Sequence, residues 1–270
     1  MNRITKVAIE TIRDCNGKCR ICNYKDTGRP KIPKRMGPKV FRAIVEQIKG
    51  LPNLKTVCPY NHDEALLDPS IWGRIRYIKA HLPHVKIELS TNGLLLSEEN
   101  TGQFLYLVDD KWISFHSINK ATYEQMMGLP WEHGERMKRL IKDNPQCQFS
   151  IQTAIVPEYT EEQVKDFWSD CDNVKLQTFI PHDRCGNIKS DWCASFDNPP
   201  GPDFDCWRLN MFLVYATDGS LIPCSNDLEE RHKVGTYFMD LNEVMGQRED
   251  FRVLNRIGAK TICWRCQDST

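Results

Sequence analysis

Three cysteines lie close together near the start of the sequence, in the segment TIRDCNGKCRICNYK. Cys15, Cys19 and Cys22 have the spacing C-x3-C-x2-C and directly follow a run, VAIETI, that predicts a β-strand. Three thiolates on one short loop can bind three irons of a cubane iron–sulfur cluster and leave the fourth iron without a protein ligand. A zinc site is the alternative, and it normally needs a fourth Cys or His nearby. The segment therefore favours a [4Fe-4S] cluster with one open iron.

Four further cysteines come from three separated segments in the last quarter of the chain. Cys206 comes first, Cys224 follows Gly219 on a predicted hairpin, and Cys263 and Cys266 form a C-x2-C pair near the end. Four thiolates complete the ligand set of a second [4Fe-4S] cluster or of a zinc ion. The spacing alone does not decide between these two metals.

Two more cysteines, Cys185 and Cys193, lie between these two groups of predicted ligands. Each can replace a ligand of the second site or return a hydrogen atom to a substrate. Each can also be a reduced structural thiol, which is the commonest role of a single buried cysteine. The sequence leaves these three roles open.

Composition restricts the class of protein. The chain has 270 residues with 36 basic and 36 acidic side chains, so no net charge draws it to nucleic acid or to an anionic membrane. No apolar run approaches the roughly 20 residues that span a bilayer, and the N-terminus lacks the features of an export signal. We therefore expect a soluble, cytoplasmic protein, in which twelve cysteines are more naturally metal ligands than disulfides.

Strand-like and helix-like segments alternate along the first two thirds of the chain. Apolar spacing predicts helices from Pro38 to Lys49 and from Thr160 to Ser169. Six runs predict strands: VAIETI, LKTVCPY, VKIELST, KWISFH, QFSIQTAIV and VKLQTFI. This alternation predicts an α/β fold with a parallel sheet, open or closed as a barrel. Active sites of such folds gather beyond the carboxyl ends of the strands.

The composition changes after the sixth predicted strand, where Pro, Gly, Asp and Asn become frequent. We therefore predict a first domain of residues 1–183 and a smaller second domain of residues 184–270. In the second domain, NMFLVYATDGSLIPC predicts two short strands joined through Asp218 and Gly219. A helix is predicted over residues 241–254.

The N-terminal motif resembles the signature of the radical S-adenosylmethionine (SAM) superfamily, C-x3-C-x-Φ-C with a hydrophobic Φ. Ile21 fills the Φ position, and Tyr24 follows where the backbone of such enzymes contacts adenine. The resemblance implies a partial (β/α)6 barrel in which SAM binds the open iron through its amino and carboxylate groups. It also implies an external one-electron donor, such as flavodoxin or ferredoxin, and cleavage of SAM to a 5′-deoxyadenosyl radical.

A turn after the second predicted strand resembles the Gly-Gly-Glu-Pro turn that holds the SAM amine in this superfamily. The segment NHDEALLDP retains Glu64 but has His62 and Asp63 in place of the two glycines. The resemblance assigns Asp63 and Glu64 to the SAM-binding residues. A solvated turn is the alternative for His62 and Asp63.

Later strand ends also resemble this superfamily. The turn S-T-N-G after the third strand adds Ser90 and Asn92 to the expected SAM-binding residues. Ser114, at the end of the fourth strand, is expected near the methionine or ribose of SAM, and Gln152 on the fifth strand is a further SAM-side polar group. His116 is a candidate acid or base, with a packed strand-end histidine as the alternative.

The second group of cysteines resembles the shortened SPASM, or twitch, domain of some radical SAM enzymes. The stretches CWRL, VY, DG, IPC and VGT follow the usual run of that small hairpin-plus-helix domain. The resemblance assigns Cys206, Cys224, Cys263 and Cys266 to an auxiliary [4Fe-4S] cluster. With four cysteine ligands this cluster has no free iron for substrate, so its implied role is electron transfer.

This layout resembles twitch enzymes that dehydrogenate a secondary alcohol on an amino sugar or aminocyclitol. The expected activity is therefore a radical SAM dehydrogenase acting on a small molecule. The alternative is an epimerase or isomerase, or an enzyme that modifies a peptide or nucleotide, with Cys185 or Cys193 as the hydrogen donor.

Two further classes of protein remain open. A nucleic-acid binder would use the basic residues that follow the first motif, although a solvated loop explains these residues equally and the zero net charge favours the loop. A metal-binding module without catalysis is the other alternative.

Overall fold

The computed structural model describes residues 3–22, 34–195, 206–256 and 261–266. The chain is an α/β protein with a mostly parallel sheet of strand order β6-β5-β4-β3-β2-β1-β7-β8-β9. Its strands are β1 Lys6–Ile9, β2 Thr56–Cys58, β3 Lys86–Thr91, β4 Asp110–Ser114, β5 Phe149–Ala154, β6 Val174–Phe179, β7 Phe212–Tyr215, β8 Ser220–Ile222 and β9 Gly235–Thr236.

Eight helices accompany the sheet in the described residues. They are α1 Pro38–Ile48, α2 Ile71–His81, α3 Glu98–Leu107, α4 Lys120–Met127, α5 Trp131–Lys142, α6 Glu161–Phe167, α7 Trp207–Met211 and α8 Leu241–Arg256, with 3-10 turns at Ala65–Leu67 and Ile262–Arg265. The six predicted strands of the first region are confirmed and pair in parallel with their sequence neighbours. The helices predicted over 38–49 and 160–169 are present as α1 and α6.

The two faces of the sheet differ in character because successive strand residues point to opposite sides. Val57, Ile87 and Ile113 belong to the core that packs against the helices, and none of them is exposed. Their neighbours along the strands, such as Glu88 and Ser114, lie on the opposite face. The carboxyl ends of β1 to β4 therefore carry their following loops to one edge of the sheet, with polar side chains nearby.

The C-terminal hairpin continues the sheet of the first region. β7 pairs in parallel with β1, from Lys6 opposite Phe212 to Ile9 opposite Tyr215, and β8 then pairs antiparallel with β7. The two predicted strands of the hairpin and the helix after them are thus present. The division into domains at residues 183 and 184 stays a prediction. No helix of the described residues is long and apolar enough to cross a membrane.

The turn between β7 and β8 depends on Gly219, as its Asp-Gly sequence predicts. Gly219 has φ +84°, and a Cβ there would collide with the ring of Tyr237 and lie 2.8 Å from Cγ1 of Val40. We expect Gly219→Ala to lower the free energy of unfolding by about 2–4 kcal/mol, because the backbone strain and the overpacking add.

Gly102→Ala is the matched control for this prediction. Gly102 lies exposed inside α3, and a Cβ there would have no neighbour within 4 Å. That change should stabilise the protein by up to about 1 kcal/mol. Urea unfolding of both variants measures the difference, and equal effects would contradict the role assigned to Gly219.

Candidate functional site

The loop after β1 holds the first three cysteines and is fixed by helix α4. The backbone N–H groups of Lys18 and Arg20 donate to the carbonyls of Met127 and Met126, at 3.1 and 2.8 Å. Gly128 follows α4 with φ +63°, and a Cβ there would lie 2.8 Å from Cβ of Lys18. A glycine is therefore required where the loop approaches the end of α4.

The thiols of Cys15 and Cys19 face one small space, and Cys22 is near enough to both to raise their pKa. Sγ of Cys15 and Sγ of Cys19 lie 3.5 and 3.6 Å from the position that a Cβ on Gly17 would take. Burial, with smaller contributions from the nearby Glu64 and Cys22, raises the pKa of Cys15 to about 12. Burial is likewise the largest cause that raises the pKa of Cys19, and the nearby Cys22 is the second. No Lys, Arg or His is among the causes of these two pKa shifts, so no side-chain cation offsets the negative charge of these thiolates. Neighbouring thiols of this kind suit binding to iron, because a metal ion deprotonates the thiol that coordinates it.

In the described residues, no group of three His, Cys, Asp or Glu side chains has the geometry to hold a single metal ion. A cubane cluster needs a different arrangement, since each thiolate binds its own iron. Ile21, the hydrophobic residue of the motif, is buried at 7% exposure in the main core. Tyr24 lies outside the described residues.

Glu64 joins the turn after β2 to the turn after β3. Its Oε1 accepts hydrogen bonds from the hydroxyl of Thr91 at 2.6 Å and from the N–H of Leu66 at 3.1 Å, and its Oε2 accepts from the N–H of Asn92 at 2.8 Å. Glu64 is 3% exposed. Burial raises the pKa of this carboxyl, and the three hydrogen bonds oppose the rise. The carboxylate thus holds two adjacent loops together beside the cysteines.

Asn92 extends this connection to the cysteine loop. Its Nδ2 donates to Oδ1 of Asn16 at 2.7 Å, and its carbonyl oxygen lies 2.7 Å from Nε2 of His133. The N–H of Glu64 also donates to the carbonyl of Asp14 at 3.0 Å. Loops after β1, β2 and β3 therefore form one hydrogen-bonded unit. Sequence reasoning missed Asn16 and His133, because neither has a motif of its own.

Asp63 is buried beside this unit, with 7% of its surface exposed. Its carboxylate is near enough to Cys15 to contribute to the raised pKa of that thiol. The structure thus places both Asp63 and Glu64 against the first cysteine loop, and their role in binding SAM stays a prediction.

The predicted polar residues on later strands share the face opposite the helices. Ser114 on β4 is level with Gln152 on β5, which is level with Gln177 on β6. Ser90 on β3 pairs with Trp112 on β4, two residues before Ser114 and therefore on the same face. Paired residues of parallel strands point to the same side, so these side chains line one surface. Gln177 was not among the predicted site residues, and its alternation with Leu176 is the signal that could have identified it.

His116 follows β4 at the same edge. Its ring contacts Phe179 in a T-shaped arrangement at 5.6 Å between centroids, and Nδ1 is buried without a hydrogen-bond partner among the described residues. Burial, with a smaller contribution from the nearby Arg184, lowers the pKa of His116 to about 4. The imidazole is therefore neutral near pH 7 and is a weaker proton acceptor than an ordinary histidine.

The pKa of His116 predicts a pH-dependent stability. Because its folded pKa is below the ordinary value of 6.5, the unfolded chain binds a proton between about pH 6.5 and pH 4 that the folded chain does not. Stability from this group is complete above pH 6.5 and falls with decreasing pH. Between pH 7 and pH 5 we expect the wild type to lose about 2 kcal/mol more than His116→Gln in urea unfolding. The exposed His84→Gln is the control, and parallel curves for wild type and His116→Gln would contradict the prediction.

The predicted ligands of the second cluster come together. The thiols of Cys206, Cys224, Cys263 and Cys266 are all buried. Burial, with smaller contributions from the nearby Cys206 and Cys266, raises the pKa of Cys224 to about 12. Burial is also the main cause that raises the pKa of Cys263, and the nearby Cys224, Cys266 and Cys206 contribute to the same rise. Four mutually close thiols from three segments form a donor set that suits an iron–sulfur cluster.

Cys185 joins this group as a fifth thiol. Its side chain hydrogen-bonds that of Cys266, which is the largest cause of its raised pKa. The backbone at Arg184, Cys185 and Gly186 has φ +46°, +62° and +79°, a run of left-handed residues. Such a run is costly for residues other than glycine and persists only where the surrounding structure enforces it.

Side-chain hydrogen bonds attach this left-handed segment to the loop after Cys224. Nδ2 of Asn187 donates to the carbonyls of Arg184 and Asn226, at 2.7 and 3.1 Å, and Nη1 of Arg184 donates to Oδ1 of Asn226 at 3.4 Å. Asn226 itself follows Cys224 and donates its N–H to that Sγ at 3.4 Å. These contacts bring Cys185 to the second group of thiols.

Cys193 lies toward the first group of thiols. Its thiol interacts with Ser190 and Asp183, and Cys22 is near enough to contribute to its raised pKa. The segment 183–193 therefore holds one cysteine that hydrogen-bonds a thiol of the second group and another within electrostatic range of the first group.

Comparisons with known proteins identify similar folds. No family model matches the sequence, and no curated protein matches it. Among solved structures, BtrN in complex with AdoMet, which is SAM, and 2-DOIA is 16% identical, covers 98% of this chain and 93% of its own, and has a TM-score of 0.68. Streptococcus suis SuiB bound to precursor peptide SuiA is 14% identical, and the match covers 93% of this chain and 67% of SuiB with a TM-score of 0.71.

A third structure, anSMEcpe with bound AdoMet and Cp18Cys peptide, is 15% identical over 98% of this chain and 89% of its own, with a TM-score of 0.68. These similarities establish the fold over nearly the whole chain. All three proteins have been crystallised with SAM, a peptide or both bound.

Proposed function

We propose that this chain is a radical SAM enzyme with a SAM-binding [4Fe-4S] cluster on Cys15, Cys19 and Cys22. The observation that carries the proposal is the convergence of these thiols on a loop fixed at the carboxyl edge of a parallel sheet, beside the unit formed by Glu64 and Asn92. The same fold is found in proteins crystallised with SAM. When bound and reduced by one electron, the cluster and SAM supply a 5′-deoxyadenosyl radical.

The protein residues hold and orient SAM in this proposal. Glu64 fixes the two turns that face the cysteine loop, so its effect on SAM passes through the backbone of residues 64–66 and 91–92. Ser90, Ser114 and Gln152 lie on the sheet face that would receive the rest of SAM and the substrate. The buried, neutral His116 is our candidate for the base at this edge.

We further propose that Cys206, Cys224, Cys263 and Cys266 hold an auxiliary [4Fe-4S] cluster in a twitch-type domain. A cubane has four irons, and each takes one thiolate, so the five thiols of this group exceed the requirement by one. We assign Cys185 as the additional thiol because Cys206, Cys224, Cys263 and Cys266 already complete the set that resembles the twitch domain, whereas Cys185 reaches this set from a separate segment that hydrogen bonds of Asn187 attach to the loop after Cys224.

The reaction that fits two clusters is the dehydrogenation of an alcohol on a sugar-like or cyclitol-like small molecule. The substrate carbon gives up a hydrogen atom to the SAM-derived radical, the hydroxyl gives its proton to a base such as His116, and one electron goes to the oxidised auxiliary cluster. The product is a carbonyl compound, so atoms and electrons balance. An external one-electron donor such as flavodoxin or ferredoxin supplies the electron for SAM cleavage.

The alternative is an epimerase, and the position of Cys193 favours it as the second candidate. Cys193 is within electrostatic range of Cys22, on the side of the SAM-binding cluster, and a thiol there can return a hydrogen atom to the substrate. A peptide is then a reasonable substrate class, since two proteins of similar fold have peptides bound. In deuterated solvent, deuterium at carbon in the product indicates epimerisation. If deuterium passes from a labelled substrate into 5′-deoxyadenosine and no solvent deuterium appears at carbon in the product, the reaction is a dehydrogenation.

Anaerobic reconstitution tests the proposal. We expect about eight irons per chain, corresponding to two [4Fe-4S] clusters, and formation of 5′-deoxyadenosine from SAM after reduction with dithionite. No SAM cleavage by an iron-replete sample would refute the enzyme class. About four irons after full reconstitution would refute the auxiliary cluster.

A pair of variants tests the ligand assignment in the second group. Cys206→Ala should lower the iron content to about four per chain, whereas Cys185→Ala should leave it near eight. The reverse result would make Cys185 a ligand and would remove Cys206 from the set.

A further inference from the structure

Helix α7 presents large side chains to solvent immediately after Cys206. Trp207 is 50% exposed and Met211 is 40% exposed. Residues four apart on a helix lie on one face, so these two side chains are neighbours, and Asn210 lies beside them. The guanidinium of Arg208 lies 4.6 Å from the centre of the Trp207 ring. An exposed aromatic and a methionine on one face are typical of an interaction site.

An open, basic cavity adjoins this face. It has a volume of about 650 Å³ and lies between α7, α8 and the start of β1. Its lining includes the three arginines Arg3, Arg248 and Arg252 and one carboxylate, Glu249, whose Oε2 lies 3.6 Å from Nε of Arg252 and so balances one of the three charges. Asn210 belongs to the same lining and accepts a hydrogen bond from Nη1 of Arg252 at 2.5 Å. We call Arg3, Trp207, Met211, Arg248 and Arg252 together the α7–α8 surface.

Arg248 is a fixed positive charge in this cavity. Only 3% of it is exposed, and its Nη2 donates to the carbonyls of Leu209 and Phe212, at 2.5 and 2.9 Å. Its Nη1 is buried without a hydrogen-bond partner among the described residues. Burial lowers the pKa of Arg248 to about 10, which still leaves it charged near pH 7. The cavity is therefore suited to a negatively charged group.

The α7–α8 surface is close to the second group of thiols. Cys206 is the residue before α7. Arg248, which lines the cavity, is near enough to Cys224 and Cys206 for their charges to affect its pKa. Side chains that touch solvent are therefore one helix away from the proposed auxiliary cluster.

We propose that the α7–α8 surface docks an acidic one-electron carrier protein that exchanges electrons with the auxiliary cluster. The inference rests on the proposed function, and it adds the place and the chemistry of the partner. One electron leaves the reduced cluster and reduces the carrier, and no bond in this chain forms or breaks. Trp, Met and Arg are the residue types enriched in protein interfaces. A small basic surface of this kind suits the transient, charge-steered encounters of redox partners.

Binding of the reconstituted full chain to oxidised flavodoxin, an acidic one-electron carrier, tests this proposal. We expect Arg3→Glu to lower the association rate constant about tenfold at low ionic strength, with the difference disappearing near 1 M salt. We expect Trp207→Ala to raise the Kd about tenfold. The matched controls are Arg139→Glu on α5 and Tyr106→Ala on α3, which change exposed residues of the same kinds away from this surface.

Iron content and dithionite-driven SAM cleavage are measured on the same samples. If the wild type neither binds iron nor cleaves SAM, the proposed function is refuted and this inference with it. If both are normal but flavodoxin does not bind, or binds equally to every variant, only the docking proposal fails. A dimer of the wild type that Trp207→Ala dissociates, with unchanged flavodoxin binding, would also overturn it, because a second copy would then cover this surface.

Discussion

Replacement of Cys19 by alanine is expected to remove about four of the eight irons per chain and to abolish reductive cleavage of SAM. Cys19 lies between the other two thiols in the motif, and its Sγ shares the space around Gly17 with Sγ of Cys15. With two thiolates left on the loop, a cubane has too few protein ligands to be held. Iron and sulfide analysis measures the first effect, and chromatography of 5′-deoxyadenosine measures the second.

Cys147→Ala is the control for this experiment. Cys147 is a half-buried thiol that packs against the main core, and the hydrogen bonds found for this residue involve its backbone. We expect its iron content and SAM cleavage to equal those of the wild type. Cleavage of SAM at the normal rate by Cys19→Ala would show that the radical chemistry does not depend on this loop.

Replacement of Glu64 by glutamine is expected to weaken SAM binding by about 10- to 100-fold, by analogy with the hydrogen-bonded partners of metal ligands, whose loss costs about that factor in metal affinity or activity. Glutamine keeps the size of the side chain but puts an NH2 group where the carboxylate accepts from three protein donors. At least one of these donors then lacks an acceptor in a buried site. Hydrogen bonds to a charged group contribute about 1.5–3 kcal/mol each, so the free energy of unfolding should also fall by about 2–4 kcal/mol.

Isothermal titration with SAM and urea unfolding measure these two effects of Glu64→Gln. Glu99→Gln in the first turn of α3 is the matched control, because Glu99 is exposed and the same atoms change. We expect both quantities to stay near the wild-type values in the control. Wild-type SAM affinity in a correctly folded Glu64→Gln would show that the turn after β2 does not position SAM.

The sequence was sufficient to predict the local features of this protein. The six strands, helices α1 and α6, and the Asp218-Gly219 hairpin follow from apolar spacing and from turn residues, which act over a few neighbouring positions. Cys15, Cys19 and Cys22 could be grouped for the same reason, since their spacing within eight residues already places their thiols on one loop. Resemblance to a known motif supplied the proposed chemistry of that loop.

Contacts between distant segments could not be predicted in this way. The pairing of β7 with β1, the hydrogen bonds of Glu64 to Thr91 and Asn92, and the arrival of Cys185 beside Cys266 each join residues at least 27 positions apart. The left-handed backbone at Arg184 and Cys185 is a further example, because neither residue type favours it.

The sequence by itself determined which residues can ligate metal, which segments are strands and helices, and that strand ends carry polar side chains. Only the tertiary structure decided which loops meet, that a fifth thiol joins the second group, and that a basic cavity adjoins Cys206. The physical reason is that local structure follows from short-range backbone and apolar preferences, whereas these meetings depend on the packing of the whole sheet and on hydrogen bonds made after the chain has folded.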